Sequence, residues 1–74
     1  YFNFNGERYK ILKAKIGNGT GKAGEVISDD LEIACNNNKS IKILEIQRQG
    51  KKSQKIGEFM LGSQIKRGSI IRNV

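Results

Sequence analysis

Histidine is absent from this chain, and cysteine occurs once, at Cys35. Disulfide frameworks, Cys/His zinc sites and Cys–His nucleophile pairs are therefore excluded within one copy. Tryptophan is missing as well, leaving two tyrosines and three phenylalanines. No apolar run approaches the roughly 20 residues that a helix needs to cross a bilayer, and no apolar leader with a cleavage site opens the sequence. A soluble, cytoplasmic chain with no membrane partner is expected. At 74 residues one small domain removes only about 60% of its unfolded surface from water. There is little room for a deep pocket, and stability must come from packing. The sequence begins at Tyr1 rather than Met, so further sequence is expected upstream.

Catalytic signals are equally sparse. Asp29, Asp30 and Glu32 form the acidic cluster, but neighbouring residues of a tight turn seldom converge on a cation, so no metal is expected. Glu45 and Glu58 could serve acid–base chemistry only with partners and a water-excluding cleft, and neither is visible. They are expected in surface ion pairs. Gly19, Gly21 and Gly24 match GxGxxG, yet Glu25-Val26-Ile27 after them reads as a strand, whereas a dinucleotide loop needs a helix there. A flexible hairpin loop is the expectation. Cys35 ends an apolar strand and is expected in the core as an inert thiol.

What the chain does have is positive charge, +7 in all, and it is unevenly placed. Residues 1–40 carry six basic and five acidic side chains, whereas residues 41–74 carry eight and two. Such an excess on one face attracts polyanions, because Lys and Arg displace phosphate counterions. Arg48, Lys51, Lys52 and Lys55 lie together, with Lys51 and Lys52 between Gly50 and Ser53 and free to project. Lys42 belongs to the strand before them, and Arg8, Lys10, Lys13 and Lys15 occupy the polar positions of an earlier one. These nine are the expected RNA-binding residues. Tyr1, Phe2, Phe4 and Tyr9 are expected to pack in a core or against a neighbouring domain. Backbone tracking is therefore expected rather than base reading.

Hydrophobic patterning gives a mainly β chain. Arg8–Ile16 alternates except for a slip in phase at Ile11-Leu12, and the same slip recurs within 41–46, where Ile41 and Ile43 share one phase and Leu44 and Ile46 the other. Each slip predicts a bulge that bends its strand. Glu25–Ile27 and Leu31–Cys35 predict a hairpin around Ser28, Asp29 and Asp30. Residues 36–40 predict an exposed, mobile loop, since asparagine tolerates left-handed dihedrals. Ser53 as N-cap, Ile56, Phe59 and Met60 at helical spacing, and Gly62 as a left-handed C-terminal residue predict a two-turn helix. Ser69–Arg72 would close the set as strand five, with the helix between strands four and five. Five bent strands suggest a small barrel of the oligonucleotide-binding (OB) type, with an SH3-like barrel as the alternative.

Taken in order, several fragments resemble the C-terminal domain of the methionyl-tRNA formyltransferase family. They are Tyr1-Phe2, Asn5-Gly6, Lys10–Ala14, Gly24–Val26, Leu31–Cys35, Ile43–Gln47, Gly50–Lys52, Glu58-Phe59, Gly62, Ile65-Lys66 and Gly68. The chain departs from the family pattern at Gln54, Arg67 and Ser69. The resemblance implies one accessory barrel over residues 1–74, appended to an upstream catalytic domain. That parent would be a transferase moving a formyl group from 10-formyltetrahydrofolate to initiator methionyl-tRNA. The family's catalytic Asn, His and Asp lie in the upstream domain, so this part carries no catalytic residue and no cofactor of its own. Its implied partners are initiator tRNA and the upstream domain, with orientation of the tRNA as its role. The alternative is an equivalent barrel of another folate-dependent formyltransferase or hydrolase, serving as a spacer without tRNA.

Overall fold

The computed structural model of the chain describes residues 1–71, apart from 37 and 64. Its elements are β1 (Phe2–Phe4), β2 (Glu7–Gly17), β3 (Glu32–Ala34), β4 (Ser40–Arg48), β5 (Ser53–Lys55) and α1 (Ile56–Gly62). The strands pair antiparallel in the spatial order β1-β2-β4-β3. β4 is central: β2 lies along one edge, while β3 takes Ser40–Lys42 and β5 takes Glu45–Gln47 on the other. The result is a curled, open half-barrel.

Both slips in phase are bulges. Ile11 pairs with Ile46, Lys13 with Glu45 and Ala14 with Ile43, so Leu12 is the extra residue on β2 and Leu44 the extra residue on β4. Each bulge cancels the shift of the other, and the register is the same on both sides of the pair. On β4 this lets Ile43 and Ile46, three positions apart, both face inward and become buried. A bulge increases local twist, and two placed opposite one another bend the long β2–β4 ribbon around the core.

The membership of the strand set differs from expectation. β1 forms because Asn5 (φ 50°) and Gly6 (φ 79°) make a two-residue turn with both dihedrals left-handed, and Phe4 pairs with Glu7 across it. This is the type I′ geometry that Asn-Gly favours. β5 is wholly polar and exposed, so hydrophobic patterning carries no trace of it. The segments 25–27 and 69–72, expected as strands, are reduced to single bridges, Glu25 with Ile70 and Val26 with Ile33; Arg72 lies outside the described residues. Their backbone bonds are still made: Ala34 N–H donates to Glu25 O (2.8 Å), Val26 N–H to Ser69 O (2.8 Å) and Ile71 N–H to Gly24 O (2.7 Å). The 24–26 segment thus links β3 to the C-terminal stretch and continues the curl. Asn38 is left-handed (φ 57°) in the exposed turn before β4, as its residue type suggests.

The helix lies after β4 and before the Ile70 bridge, but both of its expected caps are different. Ser53 belongs to β5, and the N-cap position falls to Lys55, whose side chain makes no capping bond. Gly62 is the last helical residue, and Ser63 after it is extended. Phe59 anchors the helix instead. Its ring meets Tyr9 edge-on at 5.6 Å, and Tyr9 stacks on Phe2 at 5.1 Å, so three aromatic rings tie α1, β2 and β1 together. Val26, Leu31, Ile33, Ile43, Ile46, Ile65 and Ile71 complete the core. Cys35 is half-buried rather than in the core, because it follows the last residue of β3 and its N–H turns to the Lys39 carbonyl.

Two glycines set opposite expectations. Gly24 has φ +87°, and a Cβ there would lie 2.5 Å from the Ile71 carbonyl oxygen. Gly24→Ala is expected to cost about 1–3 kcal/mol, from a strained dihedral together with displacement of the C-terminal stretch. Gly57 is helical, and a methyl group added there would meet open space, so Gly57→Ala should gain up to about 1 kcal/mol. Urea midpoints of the two variants should move in opposite directions. A midpoint for Gly24→Ala at or above the parent value would refute the first expectation.

Candidate nucleic-acid interface

Side chains of directly paired residues lie on the same side of a sheet. Asn3 pairs with Arg8; Lys10 with Gln47, which pairs with Ser53; Lys13 with Glu45, which pairs with Lys55; and Lys15 with Lys42, which pairs with Glu32. Arg8, Lys10, Lys13, Lys15, Lys42 and Lys55 therefore share the outer face, opposite the core. The Leu12 bulge is what allows this. Without an extra residue, Lys10 and Lys13 would point to opposite sides. Two carboxylates, Glu45 and Glu32, are set into this face beside Lys13, Lys42 and Lys55.

The glycine loop covers one end of the outer face and is not the free hairpin loop expected. Gly19 N–H donates to Ser40 Oγ (3.0 Å), and the Ser40 hydroxyl donates to Glu32 Oε2. A Cβ on Gly17 or Gly21 would fall within 3 Å of neighbouring side chains, so glycine permits the loop to lie flat on β3 and β4. Two further N–H groups of the loop have internal partners: Lys22 N–H donates to Glu25 Oε1 (3.0 Å) and Gly24 N–H to Ala34 O (2.8 Å). A phosphate would have to displace them.

Arg48, Lys51 and Lys52 stand apart from that face. They line a cleft of about 690 Å³ whose other walls include Phe4, Asn5, Glu7, Tyr9, Glu58 and Phe59. Arg48 donates from Nη2 to Glu7 Oε1 (2.9 Å) and from Nε to Glu7 Oε2 (3.2 Å), a two-bonded fork. The Arg48 guanidinium holds the Glu7 carboxyl below the usual carboxylate range, and Glu7 in turn raises the pKa of Arg48. A carboxyl with a depressed folded-state pKa stabilises the fold above its unfolded value, and that contribution is lost as pH falls through the depressed value. The pair is open to solvent, so the effect is small. The parent chain should lose slightly more stability than Glu7→Gln between neutral and acid pH, as followed by urea titration. Equal losses would remove Glu7 from the acid response.

Residues 1–64 match the profile of the family described as formyl transferase, C-terminal domain. The chain belongs to that family. Along its whole length it is 68% identical to a methionyl-tRNA formyltransferase of Pelagibacter ubique (strain HTCC1062), covering 24% of that protein. It is 41% identical over 61 residues to the methionyl-tRNA formyltransferase of Bradyrhizobium sp. (strain ORS 278), covering 82% of this chain and 19% of the relative. With the enzyme of the same name from Chelativorans sp. (strain BNC1), identity is 40% over 63 residues, 85% of this chain and 20% of the relative. The chain thus spans about a quarter or less of the relatives it matches.

In this formyl transferase C-terminal domain the nine expected cations form two groups: six on the outer face of the sheet and three at the cleft. Patterning had not indicated Glu7, because its contact with Arg48 spans 41 positions and depends on the β2–β4 register. Phe2 and Tyr9 are core residues and Phe4 is half-buried, as expected, whereas Tyr1 is 63% exposed on the outer face beside Arg8, so of the two expectations for it only packing against a neighbouring domain stays open. No helix among the described residues is long and apolar enough to cross a membrane.

Proposed function

We propose that this chain is the C-terminal accessory barrel of a methionyl-tRNA formyltransferase and holds initiator tRNA for an upstream catalytic domain. In this reading the parent enzyme works in the cytoplasm at translation initiation. The upstream domain binds 10-formyltetrahydrofolate and passes its formyl group to the methionyl amine. In this reading the barrel itself binds no cofactor. No chemical step is assigned to its residues.

The observation that carries the reading is the row Arg8, Lys10, Lys13 and Lys15, aligned on one exposed face by the Leu12 bulge, in a domain whose relatives are named for a tRNA substrate. Cations repeating along one face of a strand every two residues are about 6.6 Å apart. That face can follow a phosphate backbone by counterion release without reading its sequence. The spacer reading draws on Ile16 and Leu61, apolar side chains that are 77% and 90% exposed and could pack on another domain. Titration of initiator tRNA against the chain at about 50 and 200 mM salt separates the two. Binding that weakens steeply with salt supports the tRNA role; undetectable binding at low salt leaves the spacer.

A further inference from the structure

At the Arg8 end of the outer face lies a groove of about 290 Å³ lined by Tyr1, Arg8, Lys10, Gln47, Gln49 and Gly50. We propose that this groove is a subsite for one unstacked nucleobase of a single-stranded RNA segment, whose backbone continues along Lys10, Lys13 and Lys15. This rests on the RNA reading above and goes beyond it, because a row of cations alone does not distinguish single strands from duplexes.

The groove combines parts that base recognition uses. Tyr1 keeps 63% of its surface exposed, while Phe2, Tyr9 and Phe59 are committed to the core. The Arg8 guanidinium carbon lies 4.1 Å from the centre of the Tyr1 ring, and Lys10 Nζ lies 5.9 Å from it. An aromatic ring next to a flat guanidinium is a stacking platform that accepts any base, since every base has a π face. Gln47 is held by donating from Nε2 to the Lys51 carbonyl (2.9 Å), which leaves its Oε1 as a fixed acceptor. Gln49 is exposed and brings both a donor and an acceptor. Gly50, at φ +80°, puts no side chain over the floor. Bases in a duplex are already stacked on one another and cannot enter; a splayed base can.

The test compares a short single-stranded RNA with a blunt RNA duplex of matched phosphate number, by fluorescence anisotropy at low salt. Tyr1→Ala should weaken single-strand binding about 5- to 100-fold and leave duplex binding unchanged, while Tyr1→Phe keeps the parent affinity. Gln49→Ala should reduce single-strand binding alone, by a smaller factor. Equal effects of Tyr1→Ala on both RNAs, or no effect on either, overturn the subsite while the RNA reading stands. If the parent chain binds neither RNA, the RNA reading falls and the subsite with it.

Discussion

Phe59→Ala is expected to detach α1 and to remove most of the stability of this domain. Truncating a buried Phe costs about 3–5 kcal/mol, from lost transfer energy and the cavity left behind. A domain of this length holds about 4–11 kcal/mol by per-residue scaling. The helix has little else to hold it, since Ile56 and Met60 are only partly buried against the core. It is seven residues long, lacks a side-chain cap, and Phe59 is its buried residue; a helix far shorter than about 12–15 residues does not persist alone in water. Loss of the ring also leaves Tyr9 without its edge-on partner and opens the wall of the cleft. Phe59→Leu, which keeps part of the volume, should lose markedly less. Urea denaturation of the three proteins decides the matter. A loss below about 1 kcal/mol for Phe59→Ala would mean that Ile56 and Met60 suffice to dock the helix.

Replacing Lys10, Lys13 and Lys15 together by Ala is expected to weaken tRNA binding far more than replacing Arg48, Lys51 and Lys52. Each phosphate contact contributes about 0.7–0.9 to the log–log salt slope. A variant missing three contacts should thus lose about 20- to 40-fold less affinity than the parent between 50 and 200 mM salt. The cleft set should give a smaller change, because Arg48 is already engaged by Glu7 in the fork that a phosphate would otherwise take. For the same reason Glu7→Gln should tighten binding, and should do so only while Arg48 is present. The control is Asp29→Asn, an exposed turn position with the same change in net charge. Full loss in the cleft variant with an unchanged outer-face variant would move the RNA to the cleft side and sink the outer-face assignment.

How much was legible varies from element to element. The slips at Leu12 and Leu44 could be read because β-branched and aliphatic residues changed parity inside otherwise regular strands, and that is a local signal. The Asn5-Gly6 turn was equally local, and an Asn-Gly pair between Phe4 and the β2 pattern is a hairpin signal that reading from Arg8 onward overlooked. β5 could not be read. Ser53-Gln54-Lys55 has no apolar face, and its strand conformation comes from the free edge of β4. Ser53 and Gly62 have the chemistry of caps, yet pairing with β4 claims Ser53, and the chain leaves the helix extended at Ser63 without needing a left-handed residue. For Ser53 a tertiary contact outweighed a capping propensity of about 1 kcal/mol.

The candidate site divides along the same line. That this chain is basic, lacks histidine and a second cysteine, and builds a small bent sheet followed by a short helix was determined by its sequence, because composition and local periodicity carry those properties. Which cations share a face was decided by tertiary structure alone. Lys10 and Lys13 share a face because one bulge shifts parity, Arg48 faces Glu7 because the opposing bulge restores the register, and Tyr1 meets Arg8 because a two-residue turn folds β1 back on β2. Each of these depends on the pairing of residues distant in sequence, and single-chain patterning has no term for that.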